Sequence, residues 1–135
     1  MGAELRVIVE QALAPFRDPE QDRFHVRGPG VRLSPRMALD LALALHELAT
    51  NAVKYGALSN ASGTIGLVWT VDCQSTPPRL KLRWTERGGP PVKPPGRRGF
   101  GTRLIERSLA QDMGGQARIE FARTGVVCTV DALVG

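Results

Sequence analysis

Between Ser34 and Gly56 the apolar positions recur with a helical period. At about 100° per residue, Leu41, Leu45, Leu48, Ala49 and Ala52 fall on one side, while Asp40, Glu47, Asn51 and Lys54 gather in an arc of roughly 60°. Ser34 is suited to cap the first turn, Pro35 to the first helical position and Gly56 to the end. A shorter helix is predicted from Glu4 to about Ala14, with Leu5, Ile8, Val9, Ala12 and Leu13 on one face and Pro15 as its stop. Arg23 to Arg27 and Val31 to Leu33 read as short strands on either side of Gly28-Pro29-Gly30. Thr64 to about Cys73 and Arg79 to Glu86 alternate as strands do, joined by Gln74-Ser75-Thr76-Pro77-Pro78 in a hairpin connection. A further helix is expected from Thr102 to about Met113, and a last strand pair from Gln116 to Phe121 and Val126 to Leu133 around Thr124-Gly125. This order of elements predicts one α/β domain over residues 1–135, with helices on one face of a mixed sheet.

The polar stripe on the long helix carries the first chemical signal. Glu47 and Asn51, one turn apart, offer oxygens that suit a hard cation such as Mg²⁺, and Lys54 is spaced to meet phosphate oxygens sharing that ion. Any one of these residues alone reads as solvated surface. Two glycine-rich segments add weight: Leu82-Arg83-Trp84-Thr85-Glu86-Arg87-Gly88-Gly89, a strand that stops in a glycine pair, and Arg97-Arg98-Gly99-Phe100-Gly101-Thr102, a glycine turn before a helix. Such a turn lets backbone N–H groups and the positive end of the helix dipole approach an anion. By itself, Gly-x-Gly before a helix is also an ordinary tight turn.

In this order, from about Val31 to the end of the chain, the three segments resemble the catalytic, ATP-binding domain of the HWE histidine kinases, a subgroup of two-component sensor kinases. The family's letters are legible as His46, Trp84 and Glu86. The resemblance implies the two-layer α/β sandwich of the Bergerat type. It implies that Asn51 is the main Mg²⁺ ligand with Glu47 beside it, that Lys54 binds the nucleotide phosphates and that Tyr55 packs against adenine. Glu86 would stand where the wider superfamily has an aspartate accepting a hydrogen bond from the adenine amino group. Gly88 and Gly89 would let the chain turn beside the base, Gly99 and Gly101 would cradle phosphates, and Thr102 would add a hydroxyl contact. Glu47 would also be placed to accept a proton from the attacking group.

His46 and Trp84 also have plain structural readings. The helical angle sets His46 toward the sheet side of the helix, as a residue that orients a carboxylate or caps a backbone group. Trp84, two residues before Glu86, shares its strand face and reads as a core aromatic under the pocket. Neither His25 nor His46 lies in the His-Arg-x-x-Asn-like setting of a phosphoacceptor. The chain therefore looks like an excised catalytic domain. It would act on a histidine carried by the dimerising acceptor helices of a parent kinase, and through that kinase on a response regulator.

Composition narrows the remaining classes. An apolar share of 42% over 135 residues is enough for one core, and the richest apolar segment is interrupted by Asp40 and His46-Glu47, so no membrane span is expected. The amino terminus lacks a signal-peptide pattern, which points to the cytoplasm. Cys73 and Cys128 sit in apolar, strand-like settings and are expected as buried free thiols. From Arg79 onward eleven Lys or Arg face five Asp or Glu, whereas the preceding residues hold seven against eight, so the net charge of +5 is concentrated around the glycine segments. Nucleic acid is the rival explanation of that charge, but an aromatic share of 5% leaves no stacking surface for it. The same fold would also serve a serine kinase or clamp ATPase of the same superfamily, a nucleotide-binding regulatory module, or an interaction module that has lost its nucleotide.

Overall fold

The computed structural model describes residues 2–74, 76–91, 116–122 and 125–134. In chain order these form β1 (Ala3–Glu4), α1 (Leu5–Leu13), a turn of 3-10 helix (Ala14–Phe16), β2 (Phe24–Arg27), β3 (Arg32–Leu33), α2 (Pro35–Tyr55), β4 (Thr64–Asp72), β5 (Arg79–Arg87), β6 (Gln116–Ala122) and β7 (Gly125–Leu133). The main sheet has the order β2-β4-β5-β7-β6, with β2 parallel to β4 and the other neighbours antiparallel. The parallel pair follows from connectivity: α2 is the crossover between β2 and β4, and such a crossover returns the chain in the same direction.

Alternation along the strands makes the sheet two-sided. Ile65, Leu67 and Trp69 on β4, Leu80, Leu82 and Trp84 on β5, and Cys128, Val130 and Ala132 on β7 are buried in one core with the inner faces of α1 and α2. Each fully buried Leu or Ile side chain in such a layer is worth about 1.5–3 kcal/mol relative to exposure. The intervening Val68, Thr70, Lys81 and Arg83 are exposed on the opposite face, so the architecture is the expected sandwich of helices on one side of a mixed sheet. Helix α2 begins as its sequence dictates, with Ser34 Oγ accepting from the Met37 amide at 3.3 Å, and ends at Gly56, whose amide donates to Ala52 O at 3.0 Å.

Several details depart from the sequence reading. The two short strands around Gly28-Pro29-Gly30 are present as expected, but β3 pairs with an additional strand, β1, whose two residues are too few to show a period, while β2 joins the main sheet. Trp69 holds the turn between them, its indole donating to Pro29 O at 2.8 Å while its ring fills the space a side chain on Gly28 would need. Cys128 is buried as expected, but Cys73 is exposed, because β4 ends at Asp72 and the chain turns there with Asp72 Oδ1 accepting from the Gln74 amide. The helix expected from Thr102 to about Met113 lies outside the described residues.

Candidate functional site

The long helix presents its polar stripe on a flank, between its sheet-facing side and its outer face. Glu47 and Asn51 are half-buried, Asp40 likewise, while Lys54 and Tyr55, in the last turn, are exposed, Tyr55 at 72%. At about 1.5 Å of rise per residue, Glu47, Asn51 and Lys54 span roughly 10 Å of helix, the scale of a polyphosphate chain. His46 is corrected by the structure. It is exposed on the outer face, with its ring 5.6 Å from that of Phe16. The angle between His46 and Glu47 holds, but the core lies on the other side of Glu47, so His46 turns away from the sheet and orients no carboxylate there.

At the carboxyl end of α2 the helix meets the end of β5, and the contact is made by one buried carboxylate. Glu86 is 4% exposed. Its Oε1 accepts from the Ala57 amide at 3.0 Å and its Oε2 from the Trp84 indole Nε1 at 3.0 Å. Burial pushes the Glu86 carboxyl above its ordinary range, and the Ala57 amide and Trp84 indole, both donating to the charged form, work against that rise. Trp84 is thus the core aromatic its spacing predicts, with a polar task besides. Glycine at position 56 leaves room here, since a Cβ at this position would collide with Glu86 Oε1.

The glycine pair after β5 has two separate causes. Gly88 takes φ +73°, which favours glycine, and Gly89 presses against the Gly56-Ala57 backbone, where an added Cβ would lie 2.7 Å from Ala57 Cα. Two residues that sequence reading missed complete the arrangement. Arg23, entering β2, donates from Nε to Gly63 O and from its terminal guanidinium nitrogen to Ala57 O, both at 2.7 Å. Asn60 accepts from the Ser62 and Gly63 amides at 3.2 and 2.9 Å and donates to Gly88 O at 3.0 Å. Asn60 had a local signal, an Asx-turn residue in Ser-Asn-Ala-Ser-Gly. Arg23 had none, because its acceptors lie 34 and 40 residues away.

Among the described residues no group of three His, Cys, Asp or Glu is gathered to hold a metal by itself. Glu47 and Asn51 supply two oxygen donors on one half-buried helix flank, which fits Mg²⁺, an ion commonly held by one or two protein oxygens with the rest from water and substrate phosphates. Gly99, Gly101 and Thr102 lie outside the described residues.

Comparison with known proteins gives this geometry a context. No family model matches the chain. A blue-light-activated histidine kinase of Brucella ovis is 43% identical over 129 residues, covering 96% of this chain and 26% of the relative. Over 96% of its length the chain is similar to a segment of a histidine kinase. Its fold agrees with histidine kinase domains of known structure: the histidine kinase domain of the Erythrobacter litoralis EL346 blue-light activated histidine kinase superposes with TM-score 0.71 at 19% identity, over 96% of this chain and 59% of that one. The catalytic domain of the histidine kinase ThkA gives TM-score 0.70 at 16% identity, over 99% of this chain and 96% of that one. The chain spans about a quarter, 26%, of the length of the curated relatives it matches. The helix flank with Glu47, Asn51 and Lys54 and the buried Glu86 come from the first two of the three segments that carried the family resemblance. Among the described residues no helix is long and apolar enough to cross a membrane.

Proposed function

We propose that the domain binds ATP with Mg²⁺ and donates the terminal phosphate to a histidine on acceptor helices outside this sequence, in a cytoplasmic kinase that serves a response regulator. What carries the reading is one helix that bears two oxygen donors and an ammonium along a flank and ends against a buried carboxylate. Phosphoryl transfer asks the protein chiefly to position the terminal phosphate and to offset its charge. Mg²⁺ bound at Asn51, with Glu47 holding the ion or its waters, would supply most of that offset. Lys54 meets the phosphates, and Gly99, Gly101 and Thr102 contribute the glycine turn. Tyr55 packs against adenine, Gly88 and Gly89 let the backbone pass beside the base, and Glu86 accepts from the adenine amino group with a lone pair not engaged by Ala57 or Trp84. Glu47 receives the proton of the attacking imidazole.

Calorimetric titration with ATP, with and without Mg²⁺, tests the reading. Asn51→Ala removes an oxygen from a site with few protein donors, so the gain in affinity given by Mg²⁺ is expected to disappear while the domain stays folded. An equal gain in the wild type and the variant refutes the assignment.

A further inference from the structure

Trp84 is wholly buried, yet it carries a polar atom that a phenylalanine would not bring. A buried indole N–H needs an acceptor, and a buried carboxylate needs donors. Here each answers the other: Nε1 of Trp84 reaches Glu86 Oε2 at 3.0 Å, two residues along the same face of β5. The ring itself has little freedom. Trp84 lies between Leu67 of β4 and Cys128 of β7 in the sheet register, and Phe24 meets it edge-on with ring centroids 6.3 Å apart. The second donor is equally fixed, since the Ala57 amide belongs to a turn whose carbonyl is held by Arg23 and whose backbone lies against Gly89.

A carboxylate offers about four lone-pair directions. One on each oxygen is used, by Trp84 and by Ala57. Two donors on rigid supports therefore fix both the plane of the carboxylate and the direction of the lone pairs that remain. We infer that Trp84 is a positioning residue for recognition of the base: its indole N–H orients Glu86 so that a free lone pair meets an exocyclic amino group. This rests on the proposed role of Glu86 as the acceptor of that amino group. A carboxylate held by the Ala57 amide alone retains a rotation about its last bond, and an amino group then meets it in a spread of orientations, in which hydrogen bonds weaken steeply with angle.

The test compares two probes that differ only at that group: ATP, and the triphosphate of purine riboside, which carries hydrogen in place of the amino group. Affinities are measured for the wild-type chain and for Trp84→Phe. A second variant carries benzothienylalanine at position 84, which keeps the bicyclic shape and replaces N–H by sulfur, so that packing is preserved if Phe leaves the core underfilled. The wild type is expected to prefer ATP by about tenfold, the value of one hydrogen bond to a charged group. Both variants are expected to lose most of that preference through weaker binding of ATP, with affinity for the purine analogue changed less than about twofold. A wild type without preference overturns the role of Glu86, and with it this inference. A wild-type preference that both folded variants retain, or an equal loss for both probes in both variants, overturns the positioning role of Trp84 and leaves Glu86 as the acceptor.

Discussion

Replacing Gly56 by alanine would drive a methyl group into the Glu86 carboxylate. The added Cβ overlaps Glu86 Oε1 and lies 3.1 Å from Ala52 Cα on its other side, so the helix backbone leaves it no retreat. Glu86 must give way, and it can do so only by releasing the Ala57 amide, now bonded at 3.0 Å. Loss of a hydrogen bond to a buried charged group costs about 1.5–3 kcal/mol. The expectation is a loss of about 1.5–3 kcal/mol, and a melting temperature lower by roughly 5–12 °C. Urea unfolding of Gly56→Ala, Glu86→Ala and the double variant isolates the contact. With the carboxylate gone its collision is gone, so Gly56→Ala should cost less there, by a coupling of about 1.5–3 kcal/mol. If Gly56→Ala costs the same in both backgrounds, the glycine is not there to make room for Glu86.

The same buried carboxylate sets a pH dependence. Because the native carboxyl of Glu86 is raised above the unfolded one, the native state holds the extra proton, and the Glu86 contribution to stability is complete below the ordinary glutamate range and lost as pH rises through the raised native value. Relative to Glu86→Gln, the wild type should therefore lose stability as pH rises from about 4.5, and a difference that grows in its favour refutes the sign. Arg23→Lys keeps the charge but not the fork that serves two carbonyls, and a loss of about 1–2 kcal/mol is expected in urea unfolding; an unchanged midpoint would show that Arg23 does not hold the turn. Of the two thiols, exposed Cys73 should react with a disulfide reagent in the native protein and Cys128 only on unfolding, so two fast thiols would contradict the burial of Cys128.

Much of this was readable in the chain because it is local. The Ser34 cap, the Pro35 start and the Gly56 stop of α2 depend on neighbours within a turn, and the β4–β5 and β6–β7 pairs follow from alternation and turn residues. The spacing of Trp84 and Glu86 placed both on one face, as the structure has it, but the indole-to-carboxylate bond needed coordinates. What failed did so for physical reasons. Periodicity fixes angles between residues and not which side of a stripe meets the sheet, hence the error at His46. Strand ends are set by pairing partners, hence the error at Cys73. The bonds of Ala57 to Glu86 and Arg23 join segments 29 and 34 residues apart, and no local pattern encodes them.

The two ends of the proposed nucleotide site differ in how much order they hold in advance. At Ala57 three segments converge: its amide is bound to Glu86, its carbonyl to Arg23, and its Cα rests against Gly63 and Gly89. Those groups are already fixed, so a base that docks beside them has little ordering to impose. At the phosphate end Lys54 is exposed on the last turn of α2, and immobilising it costs about 0.5–1.5 kcal/mol. Glu86 and its two donors can therefore select the nucleotide at small entropic cost. Contact at the phosphate end must first order the Lys54 side chain, and the charge that Mg²⁺ shares with the phosphates is what would offset that cost. Selection would thus rest on Glu86 and its two donors, and tightness on Asn51 and the ion.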